Sequence, residues 1–376
     1  MNEPLRYLSV CSGIEAASVA WAGLPMQPKM FSETAEFPSA VLAQRFPEVP
    51  NAGDLTSLLD RPPDVDLIVG GTPCQSFSVA GYRKGLEDPR GSLSLAYAEL
   101  CHAIRSTRSN RSGVPIAVWE NVPGILSDSS NGFGQFLAAL VGESEELRTP
   151  DGKNWPNAGV AHGPKRKVAW RVLDARYWGV PQKRRRVFVV STRSGERCPG
   201  EILFERTGGS WNAQEIGETH KKAAGEASSG FGVYRQEARG QYTSDGTAST
   251  CKARDHKEPT DLVVHQGAGE SVDVYHENRS GGLTAQCGRA CALRAGASAN
   301  YQVVAGCGSV QPVRYFVRRL MPVETERLQG FPDGWTDIAF KGKPAADSRR
   351  YEAMGNAMAV PCMRFIGHRI CLKLGL

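Results

Sequence analysis

No apolar run in the 376 residues approaches the ~18 needed to cross a bilayer, which argues against a membrane-spanning helix. The ten cysteines lack the paired spacing of a disulfide framework, and the first residues carry no signal-like pattern. The expectation is a cytoplasmic protein with free thiols in a reducing compartment. Cys287, Cys291 and Cys307 with His265 or His276 fit no common zinc pattern, so no metal is expected. Behind the first strand the triple-glycine G-x-G-x-x-G of a pyrophosphate site is absent, which disfavours a NAD or FAD reading. Charge of one sign is not in large excess either. With 45 Lys+Arg against 39 Asp+Glu the net charge is +6, compatible with a polyanionic partner without demanding one.

What is present reads as alternating strands and helices. Arg6–Val10 is a short strand, Cys11-Ser12-Gly13-Ile14-Glu15 a turn, and Ala16–Ala22 has helical character. Met30–Ser32 is a second strand ending at Glu33, where an acid can take ribose hydroxyls, although Glu36 leaves the register open. Asp54, in Gly53-Asp54-Leu55, reads locally as a helix N-cap. Asp66–Val69 is a buried strand that runs into Gly70-Gly71-Thr72-Pro73-Cys74-Gln75-Ser76-Phe77-Ser78. A cysteine there is placed like a nucleophile at the mouth of an α/β crevice. A small buried thiol is the plainer alternative, and the loop alone does not decide.

Four further motifs follow Pro73-Cys74-Gln75 in order: Trp119-Glu120-Asn121-Val122, Pro181-Gln182-Lys183-Arg184-Arg185-Arg186, Arg327-Leu328-Gln329-Gly330-Phe331-Pro332 and Met354-Gly355-Asn356-Ala357. With them the chain strongly resembles the cytosine-C5 DNA methyltransferases, over residues 8–193 and 314–367. The resemblance implies a Rossmann-like α/β domain binding S-adenosyl-L-methionine, residues 1–193 plus 347–376, and an inserted, mostly β or irregular target recognition domain with hinge, residues 194–346. It assigns Cys74 as nucleophile, Glu120 to cytosine N3 and Arg186 to O2, with Arg184 beside them in a more positional role. Cys11, Ser12, Gly13, Ile14, Glu33, Asp54, Leu55, Pro73 and Asn356 become the cofactor-binding set. In that set Glu33 holds the ribose and Asp54 accepts from the adenine amino group. The family usually has Phe where this chain has Cys11, which weakens one expected contact with adenine. Residues 81–91 resemble a mobile catalytic loop.

The chemistry explains the residue types. Cytosine C5 is a poor nucleophile until a thiolate adds at C6, and the ring then needs an acid at N3 and donors at O2. The target carbon lies inside the duplex stack, so the base must be flipped out. The implied partner is double-stranded DNA, with the protein expected as a monomer and a cognate restriction endonuclease as a candidate partner. Site reading falls by elimination to residues 195–312, where Arg235, Arg239, Arg254, Arg289 and Arg294 are candidates for base or phosphate contact. An RNA cytosine-C5 methyltransferase on the same scaffold and a catalytically silent DNA-binding relative are the alternatives.

Overall fold

A computed structural model describes residues 3–73, 91–104, 115–152, 154–195, 198–204, 231–238, 241–243, 247–251, 261–267, 275–277, 283–285, 301–305 and 313–376. Cys74, the rest of its loop and residues 81–90 lie outside this set, as do Cys287, Cys291 and Cys307.

The first half builds one sheet. Its strands are β1 (Leu5–Val10), β2 (Met26–Ser32), β3 (Leu67–Gly70), β4 (Ile116–Asn121), β5 (Ala158–His162), β6 (Arg166–Asp174) and β7 (Arg185–Arg193). Their spatial order is β2-β1-β3-β4-β7-β6-β5. β1 to β4 run parallel, whereas β7, β6 and β5 each pair antiparallel with their neighbour. Side chains alternate across a strand, and here both faces are apolar. Leu5, Tyr7, Leu67, Val69, Val118 and Phe188 enter one core; Leu8, Val10, Ile68, Trp119 and Val189 enter the other. A sheet buried on both sides needs helices on both sides.

Those helices are α1 (Ala16–Trp21) and α8 (Val360–Leu374) on the first face, with α3 (Gly91–Ala103) and α4 (Gly132–Val141) on the second. α2 (Glu36–Arg45) follows β2, and a short α5 (Gly200–Leu203) packs beneath β6 and β7. The chain's end is held tightly to its beginning. Trp21 Nε1 donates to the Met363 carbonyl at 2.8 Å, and the Trp21 ring meets Tyr7 edge-on at 4.9 Å. Among the described residues no helix is long and apolar enough to cross a membrane.

The inserted region is β-structured where it is described. β8 (Phe231–Ala238), β9 (Gln241–Thr243), β10 (Asp261–Gly267), β13 (Tyr301–Ala305) and β14 (Val313–Arg319) form a five-stranded antiparallel sheet in the order β13-β14-β10-β8-β9. β11 (Tyr275–Glu277) pairs with β12 (Leu283–Ala285). Residues 247–251 stitch this region to the Pro181–Arg184 turn. Lys183 N donates to the Ala248 carbonyl at 2.8 Å, and Ala248 N donates to the Pro181 carbonyl at 2.7 Å.

Three features differ from the sequence reading. Residues 142–166 read as a polar connection, yet they contain β5, an edge strand whose Gly159 lies flat under the Trp170 ring. The helix expected over Asn356–Leu374 is present as α8 but starts at Val360, and a further helix, α7 (Asp347–Asn356), precedes it. Pro361 lacks the N–H that a continuous helix would need there, so it belongs in a first turn. The packing also crosses the expected domain boundaries at 194 and 346. Ile202, Leu203, Phe331, Ile338 and Ala345 lie in the first core, so α5 and the segment from α6 (Pro322–Gln329) onward pack with the α/β unit.

Candidate functional site

Four parallel strands bring their C-terminal ends to one edge of the sheet, where ligand crevices form in open α/β folds. A cleft of about 770 Å³ opens there, a size suited to a small cofactor with a base beside it. β1 ends at Cys11, β2 at Glu33, β3 at Gly71-Thr72-Pro73 and β4 at Glu120-Asn121, and all of these line the cleft.

The first wall is the turn after β1. Cys11, Gly13 and Glu15 all have left-handed backbones, with φ of 47°, 56° and 64°. For Cys11 and Glu15 that costs roughly 1–2 kcal/mol each, strain of the kind that gathers at functional sites. Gly13 N donates to Glu33 Oε2 at 2.8 Å, and Ala35 N donates to Glu33 Oε1 at 2.7 Å. Each carboxylate oxygen therefore keeps one lone pair for a further donor. Glu36 instead makes an exposed ion pair with Lys341, so the register left open by the sequence puts Glu33 against the turn. The Cys11 thiol is pushed to about 12 by burial, with the charges of Glu33 and Asp54 adding to it. It is a neutral small side chain at working pH.

Asp54 caps the 3₁₀ turn Leu55–Leu58 by accepting from Thr56 N at 2.9 Å, and Leu55 is buried beside it. Ser12 spends its hydroxyl on the Ser9 carbonyl at 2.8 Å. The Ile14 side chain departs from the expected cofactor set. It lies in the core, and only its carbonyl reaches outward, to Trp335 Nε1 at 2.9 Å. Asn356 is exposed and lines the cleft at the end of α7.

The second wall carries the acid. Glu120 and Phe188 are register partners, and Arg186 is two residues from Phe188, so Glu120 and Arg186 share a face diagonally. Arg186 Nε lies 3.1 Å from Glu120 Oε1. Burial raises the Glu120 pKa, against the pull of Arg186 and then of Arg184. The carboxyl is thereby better able to hold a proton than an exposed one. Gly71 is what allows the approach from β3, because a Cβ there would meet Glu120 Oε2 at 3.1 Å and Met358 Cε at 3.3 Å.

The turn leading toward Cys74 is fixed from below. Trp119 Nε1 donates to Thr72 Oγ1 at 2.9 Å, Thr72 and Ser94 share a hydroxyl bond of 2.6 Å, and Asn121 Nδ2 donates to the Thr72 carbonyl at 3.0 Å. Trp119 and Asn121 flank Glu120, so one strand holds both the acid and the turn. Arg184 is fully buried and bonds backbone carbonyls: Cys251 at 3.2 Å, Gly355 at 3.2 Å and Ala357 at 2.5 Å. Burial, then the neighbouring Arg186 charge, lowers its pKa to about 10. It ties the insertion and the Asn356 segment to β7. Arg185 points outward, its Nη2 3.4 Å from Asn157 Oδ1.

Sequence reasoning missed several lining residues. Phe340 reaches the cleft from a two-stranded turn near Lys341 and packs edge-on against Phe37 at 5.4 Å. Leu93, Val122 and Glu352 also line it. Phe340, Leu93 and Glu352 carry no local motif, whereas Val122 closes the Trp119-Glu120-Asn121-Val122 motif. Glu15 is a further missed residue. It is buried to 1% exposure, and Oε1 accepts from both Ser18 N and Ser18 Oγ at 3.0 Å. Burial pushes this carboxyl from 4.5 to about 7 against the pull of Ser9 and Ser18. A raised carboxyl pKa disfavours the charged form in the fold, so the cost is full above about pH 7 and gone below about 4.5. Glu15→Gln is accordingly expected to raise the melting temperature at pH 8, by an amount reflecting up to about 3 kcal/mol. The gain should fade toward pH 5. Equal gains at both pH values in a thermal scan would contradict the assignment.

Comparison with known proteins agrees with the order of these elements. A DNA N-6-adenine-methyltransferase of Escherichia phage P1 is 40% identical, over 97% of this chain and 61% of its own length. The type II methyltransferase M2.BsuMI of Bacillus subtilis is 24% identical, over 99% of this chain and 76% of its own. The chain therefore spans less than two thirds of the phage relative. Among solved structures, S. pombe Dnmt2 superposes with a TM-score of 0.59 at 14% identity, covering 99% of this chain and all of that one, a likeness of fold. The sequence profile of the C-5 cytosine-specific DNA methylases matches residues 5–143 and 165–371, and the chain belongs to that family.

Proposed function

We propose that the protein transfers a methyl group from S-adenosyl-L-methionine to C5 of a flipped cytosine in duplex DNA. The observation that carries the reading is the pairing of buried Glu120 with half-buried Arg186 beside the braced Thr72-Pro73 turn, one residue before Cys74 in sequence.

The cleft fits the cofactor. A Cβ on Gly13 or Gly53 would meet nothing within 4 Å, so both backbones stand open to a ligand. Glu33 has acceptor capacity for ribose hydroxyls, Asp54 lines the same cleft for the adenine amine, and Asn356 lines it as well. When bound, S-adenosylmethionine supplies an electrophilic methyl on sulfur. The chain's own residues do the rest. The Cys74 thiolate adds to C6 while Glu120 places a proton at N3, and Arg186 offers donors to O2. C5 gains electron density by this addition. After C5 takes the methyl, water accepts the C5 proton, the C5–C6 double bond re-forms as the Cys74 thiolate is expelled, and N3 returns its proton to Glu120. The inserted β-sheet, with Arg235 on β8, is the proposed reader of the DNA sequence.

The name of the phage P1 relative favours a second reading, methylation of adenine N6. An exocyclic amine can attack a methyl sulfonium directly and has no use for a thiol. A Pro-Cys-Gln sequence whose Pro73 lines the same cleft as the buried Glu120 suits C6 addition, so the cytosine reading is preferred. Incubating the protein with methyl-labelled cofactor and either duplex DNA or tRNA, then analysing nucleosides by mass spectrometry, separates these cases. 5-Methylcytosine in DNA is expected. N6-methyladenine, label in tRNA alone, or no label on either would each overturn the reading.

A further inference from the structure

Behind the main cleft lies a small cavity of about 30 Å³. One water needs roughly 10–15 Å³ measured this way, so the space suits a group the size of a water or an ammonium head and excludes a nucleoside. Its lining includes Ser9, Gly13, Glu15, Gly71, Glu120 and Asn356. Cys11, Gly13, Gly71, Glu120 and Asn356 line the main cleft as well, so the two spaces share walls.

Glu15 stands out there. Its Oε1 is committed to Ser18 N and Ser18 Oγ, capping α1. Its Oε2 is buried and has no hydrogen-bond partner within bonding geometry among the described residues, with the Ser9 hydroxyl the polar side chain beside the carboxyl. A cap needs one oxygen, and a serine or asparagine would supply it without burying a second. A buried carboxylate oxygen without a donor is costly, and such a group in a native fold calls for a ligand or a role. The left-handed backbone at Glu15, φ 64°, adds a further cost at the same residue. Two costs at one position beside a ligand cleft point to function.

We propose that Glu15 Oε2 accepts the α-ammonium of the methionine part of S-adenosylmethionine, making Glu15 a cofactor-binding residue. The proposal rests on the reading of the cleft as the site of that cofactor. Its chemistry is narrow: the cavity offers a carboxylate, and the methionine part holds one ammonium. The adenine amine is neutral and the sulfonium has no proton to donate. The raised pKa of Glu15, about 7, belongs to the protein alone, and an ammonium at Oε2 would favour the ionised form.

The test compares two ligands by calorimetry: S-adenosylhomocysteine, and its analogue with hydrogen in place of the α-amine. Neither can transfer a methyl group, so binding is read without turnover. Wild type should bind the amine-bearing ligand roughly 10- to 100-fold more tightly, the usual worth of a buried charge-assisted hydrogen bond. Glu15→Gln should erase that preference. With Oε1 still accepting from Ser18 N, the amide NH₂ would face the cavity, donor against donor. The analogue should bind wild type and variant within about twofold of each other. Two results overturn the proposal: no amine preference in wild type, which needs no variant, or equal weakening of both ligands in Glu15→Gln, which marks a merely structural role. If neither ligand binds wild type, the cofactor reading fails and takes this proposal with it. Tight binding without amine preference would fail the Glu15 assignment alone.

Discussion

Cys74→Ala is expected to abolish methyl transfer while leaving DNA and cofactor binding in place. C5 of cytosine has little affinity for an electrophile while the ring stays aromatic. Addition of a thiolate at C6 removes that barrier, and no neighbouring side chain can replace it. Cys11, which lines the cleft, is pushed to about 12 and so remains a thiol at neutral pH. A thiol is a far weaker nucleophile than a thiolate, so it offers no substitute. The measurement is incorporation of labelled methyl into duplex DNA, with gel-shift binding as the control. A variant retaining more than a few per cent of activity would rule out Cys74 as nucleophile. The same mechanism predicts that 5-fluorocytosine at a verified target site traps the wild type covalently, because fluorine cannot leave as a proton does.

Glu120→Gln is expected to slow methyl transfer by about 10²–10⁴-fold, the usual contribution of a positioned general acid. The amide keeps the volume and can still donate a hydrogen bond, but it cannot deliver a proton to N3. It also leaves Arg186 without its carboxylate at 3.1 Å. Cofactor affinity should change little, because Glu33, Gly13 and Asp54 sit on other elements. Single-turnover rates beside calorimetric binding of S-adenosylhomocysteine distinguish the roles. Collapse of cofactor binding with surviving chemistry would move Glu120 into the cofactor site.

Much of this site could be read before any coordinates. The strand–turn–helix at Arg6–Ala22, the acid after β2, the Pro-Cys-Gln loop and the Arg-rich turn before β7 are local signals, each carried by a few adjacent residues. β5 was not legible, because Ala158–His162 is a small-residue edge strand whose only strong contact, Gly159 under Trp170, is not local. The helix ending at Leu374 was legible in its periodic apolar residues, and only its start was placed early, where Pro361 marks the first turn. Ile14 shows the limit of a motif. Its neighbours Cys11 and Gly13 face the cleft, while its own side chain turns into the core.

By itself the sequence determined the fold class, the order of the motifs and the residue types that the chemistry needs. These depend on short-range patterning: period-two apolar strands, turn residues at strand ends, a thiol and an acid at two such ends. The tertiary structure alone decided what surrounds each acid. Glu33, Glu36, Glu15 and Glu120 are chemically alike in the sequence. They diverge because Glu33 meets a turn amide, Glu36 a surface lysine, Glu120 a half-buried arginine, and one oxygen of Glu15 has no hydrogen-bond partner among the described residues. The environment of a carboxylate is set by chain segments far away in sequence, and it is that environment, through burial and the charges nearby, that fixes where the proton sits.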